Sequence, residues 1–161
     1  MKDMFRLVVR IALPCALVVL PLMARAETDA CTLLTQAQVA AAVGEPVGDG
    51  THVTPTFVKT CTWTPSGKLR IASVTLNVQT SAVYDGAKRQ ATMAAAAGIK
   101  GTGMTPASVG DDAYYFVTGD QATLMVKKGA SSFKVAVYAR IPMDEKEAME
   151  LKLARQVAAR L

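Results

Sequence analysis

Ile71-Ala72-Ser73-Val74-Thr75-Leu76-Asn77-Val78-Gln79 is the stretch from which the architecture follows. Val74, Leu76 and Val78 fall on one side of it, and Ser73, Thr75, Asn77 and Gln79 on the other. That two-residue period is a strand with one face buried. Strands of a parallel sheet are covered on both faces and read as continuous apolar runs, so the alternation points to an antiparallel sheet.

Toward the N-terminus, residues 57–64 alternate in the same way. Phe57, Cys61 and Trp63 share one face; Val58, Thr60, Thr62 and Thr64 share the other. Pro65-Ser66-Gly67 supplies the turn between the two strands. Residues 45–55 hold Gly48, Asp49 and Gly50 and carry only a weak strand signal over 47–54. Further back, Thr35 and Gln38 make a capping-box pattern, Val39, Ala42 and Val43 an apolar stripe, and Gly44 a stop, which predicts a short helix over 35–43.

Toward the C-terminus a second helix is predicted over 82–97, with Tyr84, Ala87, Ala91, Ala94 and Ala95 along one side. Residues 98–112 hold four glycines and Pro106 and read as an irregular loop. Three strands follow at 113–118, 122–128 and 132–141, with Gly119-Asp120 and Gly129-Ala130 as tight hairpin connections. In the last strand Phe133, Val135, Val137, Ala139 and Ile141 are expected inward, and Lys134, Tyr138 and Arg140 outward. Asp144 with Glu147 is expected to cap a final helix bearing Met149, Leu153, Val157 and Leu161. Its early acids and late bases suit the helix dipole.

The expected fold is therefore α+β: one antiparallel sheet of five to six strands, in the order α-(β)-β-β-α-β-β-β-α. About three helices are expected on one face. The opposite face would then be a polar surface including Thr75, Asn77, Thr123, Met125, Lys127, Tyr138 and Arg140.

The first 26 residues read as a signal peptide. Lys2, Arg6 and Arg10 precede an apolar run that ends in Ala24-Arg25-Ala26, with small residues at both positions a signal peptidase reads. The run is too short, and too interrupted by Pro14 and Pro21, for a permanent span of roughly 20 apolar residues. Pro14 before Cys15, with the run continuing beyond it, argues against lipid attachment there. Taking these 26 residues from 161 leaves a single domain of 135, and taking away their four bases and one acid lowers the net charge from +5 to +2. A chain so nearly balanced lacks the clustered basic face of a nucleic-acid binder. After cleavage Cys31 and Cys61 remain as an even pair in an exported chain, which predicts a disulfide worth about 3–4 kcal/mol and a periplasmic or secreted location.

Motifs for chemistry are missing. His52, the one histidine, has no cysteine or carboxylate at ligand spacing in the sequence, and two thiols alone fall short of a zinc site. No Gly-x-Ser-x-Gly pattern occurs. Gly98-Ile99-Lys100-Gly101-Thr102-Gly103 follows a predicted helix instead of opening one, so it offers no phosphate-binding helix N-terminus. Asp111-Asp112 lacks the spaced oxygen ligands of a calcium loop and reads as a strand entry. No metal, cofactor or catalytic residue is expected.

Cys31-Thr32-Leu33-Leu34-Thr35 with Val39 and Gly44, then Cys61-Thr62-Trp63, then Gly110-Asp111-Asp112-Ala113, resembles a family of small uncharacterised secreted bacterial envelope proteins, many of them actinobacterial lipoproteins. The likeness runs over most of residues 30–161 and departs from the family where a lipidated cysteine would stand. It implies an envelope location and an α+β domain, and carries no catalytic residue. The functional expectation is a non-catalytic binding module. Its partner would be another envelope protein, met through a face holding Thr75, Asn77, Tyr138 and Arg140 or through the 98–112 loop. The alternative is a carrier of a small apolar ligand or lipid.

Overall fold

The computed structural model describes residues 27–66, 70–99 and 102–161. The expected signal peptide at 1–26 lies outside the described residues, as do Gly67 of the expected turn and Lys100-Gly101 of the glycine loop. The strands are β1 (Thr51–His52), β2 (Thr60–Trp63), β3 (Ile71–Thr80), β4 (Thr102–Pro106), β5 (Asp112–Thr118), β6 (Gln121–Lys128) and β7 (Ser131–Ala139). They form one antiparallel sheet in the order β1-β2-β3-β7-β6-β5-β4. Seven strands exceed the five to six expected because the glycine loop contributes β4, an edge strand that pairs with β5 from Thr102↔Thr118 to Pro106↔Tyr114. Proline is tolerated there because an edge strand needs only half of its backbone groups paired.

The helices are α1 (Gln36–Val43), α2 (Ser81–Ala96) and α3 (Met143–Ala158). Helix α1 begins as its sequence dictates. Thr35 and Gln38 form a reciprocal capping box, and Gly44 ends the helix in the left-handed conformation at φ 75°. Helix α3 starts one residue before the expected cap: Pro142 is its N-cap, and Asp144 and Glu145 sit in the first turn, where they favour the dipole without capping. Phe57, expected to share a strand face with Cys61 and Trp63, is instead 46% exposed, because β2 does not begin until Thr60.

The expectation that three helices share one face is corrected. Helices α1 and α3 cover the face carrying Trp63, Val74, Leu76, Leu124, Val126, Phe133, Val135 and Val137, all buried in the main core with Leu153 and Val157 of α3. Helix α2 lies on the other face, where Tyr84 packs with Tyr114 and Met125 in a second, smaller cluster. Strands β5 and β6 are therefore buried on both sides at Ala113-Tyr114-Tyr115 and Leu124-Met125-Val126.

Strands β6 and β7 pair only from Leu124↔Val135 to Lys128↔Ser131. Beyond that point side chains take over the ladder. Glu150 of α3, fully enclosed, accepts the Val137 N–H at 2.9 Å, and the Gln121 amide donates to the Val137 carbonyl at 3.3 Å. Burial pushes the Glu150 carboxyl up to about 8, against the opposing pull of the Val137 N–H and, more weakly, of Lys146. Among the described residues no helix is long and apolar enough to cross a membrane.

Candidate functional site

The second face offers two regions, one roofed by α2 and one open. The roof is held at its N-terminal end by two ion pairs: Lys127 Nζ lies 2.9 Å from Asp85 Oδ1, and Lys88 Nζ lies 2.5 Å from Asp112 Oδ2. The Lys88 ammonium holds the Asp112 carboxyl below its ordinary value and also stands 5.9 Å from the centroid of the Tyr84 ring. Tyr84 is fully enclosed, its ring tilted 58° to that of Tyr114 at 5.4 Å. Burial, then the nearby Asp112 carboxylate, drives the Tyr84 hydroxyl pKa far upward, so the phenol stays neutral.

Past Tyr84 the helix turns to small residues. Ala87, Ala91 and Ala94 face Tyr114, Phe116 and Met125 across a gap, with Gln90 at the rim. The gap measures about 340 Å³. Alanine stubs on a helix cannot reach the sheet at that separation, and aromatic and thioether side chains opposite them leave an apolar wall. The periodic alanines were legible in the sequence. The wall was not expected, although the continuous apolar runs 113–116 and 124–126 are the signature of strands buried on both faces.

The open region holds the residues expected to bind. Thr75, Asn77 and Tyr138 share one face by register, since Ser73 pairs with Tyr138 and Asn77 with Lys134. Arg140 stands exposed just past the end of β7. The four are strung out along the strands, with Asn77 and Tyr138 separated by four ladder positions, roughly 13 Å. Asn77 Nδ2 is already engaged with Thr60 Oγ1 at 2.5 Å, while Tyr138 is 43% exposed. Three members of the expected polar face fall outside this region: Met125 is buried, Thr123 is half-buried on the same strand, and Lys127 is paired with Asp85. A shallow depression of about 410 Å³ lies at the far end, lined by Arg70, Gln121, Tyr138 and Arg140 among others.

Asp111 belongs to neither region. Its carboxylate accepts the Gly129 N–H at 2.7 Å and pairs with Lys128 at 3.1 Å, contacts that hold it below the usual carboxylate value. The preceding Gly110 has φ 66°, and a Cβ there would come within 2.5 Å of the Lys127 carbonyl oxygen. The Gly-Asp pair is thus a strand-entry device that locks the β6–β7 hairpin to β5.

A third cluster surrounds the disulfide. Cys31, in a short 3-10 turn at Ala30–Thr32, is bonded to Cys61 of β2. The β1–β2 register sets His52 opposite Cys61. His52 Nδ1 lies 3.6 Å from Cys31 Sγ and 3.2 Å from the Thr60 carbonyl oxygen, and Nε2 lies 3.4 Å from Asp29 Oδ1. Asp29 in turn accepts the Cys31 N–H at 2.8 Å. The expectation that His52 lacks a cysteine or carboxylate partner is corrected: the 3-10 turn, tied to β2 by the disulfide, brings Cys31 and Asp29 to it. Gly50 makes room for this packing, because a Cβ there would come within 2.6 Å of Cys61 Sγ and 2.8 Å of Trp63 Nε1.

Comparison with family models, with curated proteins and with solved structures returned no match.

Proposed function

We propose that this protein is a non-catalytic binding module of the periplasm or the secreted fraction, and that it holds a small apolar ligand between α2 and the sheet. The observation that carries this reading is the 340 Å³ gap walled by Ala87, Ala91, Ala94, Tyr114, Phe116 and Met125. That size and lining lie at the lower end of small-molecule sites, which are concave and mostly apolar with few polar groups. Gln90, exposed on the same helix, supplies an amide among the lining residues for a ligand's polar end. The ion pairs at the opposite end of α2 keep the roof in register while its alanine-lined part admits a guest.

The test is binding of a fluorescent apolar probe, N-phenylnaphthylamine, to wild type and to Ala94→Phe, which fills the gap from the half-buried side of the helix. Wild type should bind and the variant should lose at least tenfold in affinity with an unchanged circular dichroism spectrum. Equal binding by the two would sink the reading, and so would no binding by wild type.

A second reading places a protein partner on the open region. It is favoured by the exposure of Tyr138 beside Arg140, since tyrosine and arginine are enriched among the residues that anchor interfaces. Tyr138→Ala with Arg140→Ala should abolish partner capture while leaving probe binding intact; capture that survives both substitutions refutes it.

A further inference from the structure

The cysteines, His52 and Asp29 do more together than brace the chain. One ligand atom from each of Asp29, Cys31 and His52 can be chosen so that all lie within 4.8 Å of one another, and Cys61 Sγ is bonded to Cys31 Sγ. We propose that reduction of the Cys31–Cys61 bridge creates a binding site for one soft divalent cation of the zinc type. Cys31 Sγ, Cys61 Sγ and His52 Nδ1 are its ligands, and Asp29 orients the imidazole.

Three observations carry this. Bonds of about 2.3 Å to sulfur and about 2.0 Å to imidazole nitrogen, at a tetrahedral angle, set the two ligand atoms about 3.5 Å apart. Cys31 Sγ and His52 Nδ1 stand 3.6 Å apart already. Second, the other ring nitrogen faces a carboxylate, Asp29 Oδ1 at 3.4 Å. A metal-bound histidine almost always gives its second N–H to such a group, which fixes tautomer and ring orientation. Third, that carboxylate is held in place by the Cys31 N–H at 2.8 Å, so the supporting group is tied to the first ligand. An ordinary surface ion pair between His52 and Asp29 would need no sulfur on the opposite edge of the ring.

The chemistry balances with a dithiol as reductant. Its thiolate attacks the bridge, a mixed disulfide forms, and its second thiolate releases the protein. The donor leaves as a disulfide with two electrons fewer, and Cys31 and Cys61 become thiols. Binding the cation then releases two protons, one from each thiol, while the imidazole gives up its Nδ1–H donation to the Thr60 carbonyl, moves that proton to Nε2 facing Asp29, and binds neutral through Nδ1. The sulfurs separate as the cation enters. Cys31 can yield because it lies on a three-residue turn, whereas Cys61 is enclosed within β2. Entry is from the side where His52 and Asp29 are partly exposed. The fourth position is left to water. Oxidation closes the site by restoring the bridge, so metal and disulfide exclude each other.

The experiment is a Co²⁺ titration of the full chain under anaerobic conditions, oxidised and after reduction, with the fold followed by circular dichroism. Reduced wild type should take up one equivalent, with a sulfur-to-cobalt charge-transfer band and tetrahedral d–d bands; oxidised protein should show neither. His52→Ala should weaken uptake at least tenfold, and Asp29→Asn by about tenfold or more. If reduction loosens the domain, Co²⁺ should restore it. Absence of the charge-transfer band from reduced wild type overturns the proposal. So does a band that His52→Ala leaves at full affinity, or a loosened chain that Co²⁺ does not refold.

Discussion

Replacing Glu150 by glutamine should remove most of the pH dependence of stability in the neutral range. The carboxyl has a folded pKa of about 8 against an ordinary value of 4.5. Between those two pH values the folded chain holds one proton more than the unfolded chain, so the free energy of unfolding falls as pH rises. The contribution is fully present below about 4.5 and is lost by the time pH passes about 8. At 1.36 kcal/mol per pH unit the gap caps the effect near ~5 kcal/mol, and a working figure is on the order of 2–5 kcal/mol. For a domain of this size that corresponds to a melting temperature roughly 10 °C lower at pH 9 than at pH 5. Glutamine keeps the shape and does not titrate, so Glu150→Gln should be nearly flat over this range and more stable than wild type at pH 9. Differential scanning fluorimetry across pH 5–9 measures both slopes. Parallel slopes for the two proteins would refute the reasoning, because the pH dependence would then belong to other groups. Asp111 and Asp112 cannot imitate it: both are held below the ordinary carboxylate value, and their stabilisation is lost only as pH falls through the acid range.

Three further outcomes are expected. Changing Cys31 and Cys61 together to alanine should lower stability by about 3–4 kcal/mol, since the bridge closes a 30-residue separation; urea unfolding under two-state conditions reads it, and a loss below 1 kcal/mol would contradict the entropic account. Gly50→Ala should cost about 1–3 kcal/mol by forcing a methyl against Cys61 Sγ and Trp63, with a matching change in Trp63 fluorescence. Thr35→Ala should cost about 1 kcal/mol by removing the capping box of α1, and hydrogen exchange should show the added fraying confined to that helix.

Local pattern made most of the strands and helices legible in advance. Alternation in residues 71–79, the hairpin glycines and the Thr35-to-Gly44 caps each express a preference set within a few residues, and each stands where it was expected. Strand β4 was hidden because Gly103 and Pro106 are loop residues by propensity; only its neighbour β5 makes it a strand. The side taken by α2 was missed for another reason. Its apolar stripe is mostly alanine, too small to reveal what it faces, and the decisive residues are Tyr114, Phe116 and Met125 on other elements. The surroundings of His52 depend wholly on the β1–β2 register and on a turn 20 residues earlier. No spacing rule along the chain encodes that encounter.

The strand order has a consequence for how the domain assembles. Every neighbouring pair in the sheet is also consecutive in the chain, except β3 and β7. The two sequence-local meanders, β1-β2-β3 and β4-β5-β6-β7, can zip early because their turns bring partners together at little entropic cost. Their union along the nine paired positions from Ile71↔Ala139 to Thr80↔Ser131 must wait until the chain between them, α2 included, has been looped back. That seam should set the folding rate. Substitutions at Leu76 or Val135 would slow folding, whereas those at the Gly119 or Gly129 hairpin tips would act within the β4-β5-β6-β7 meander alone.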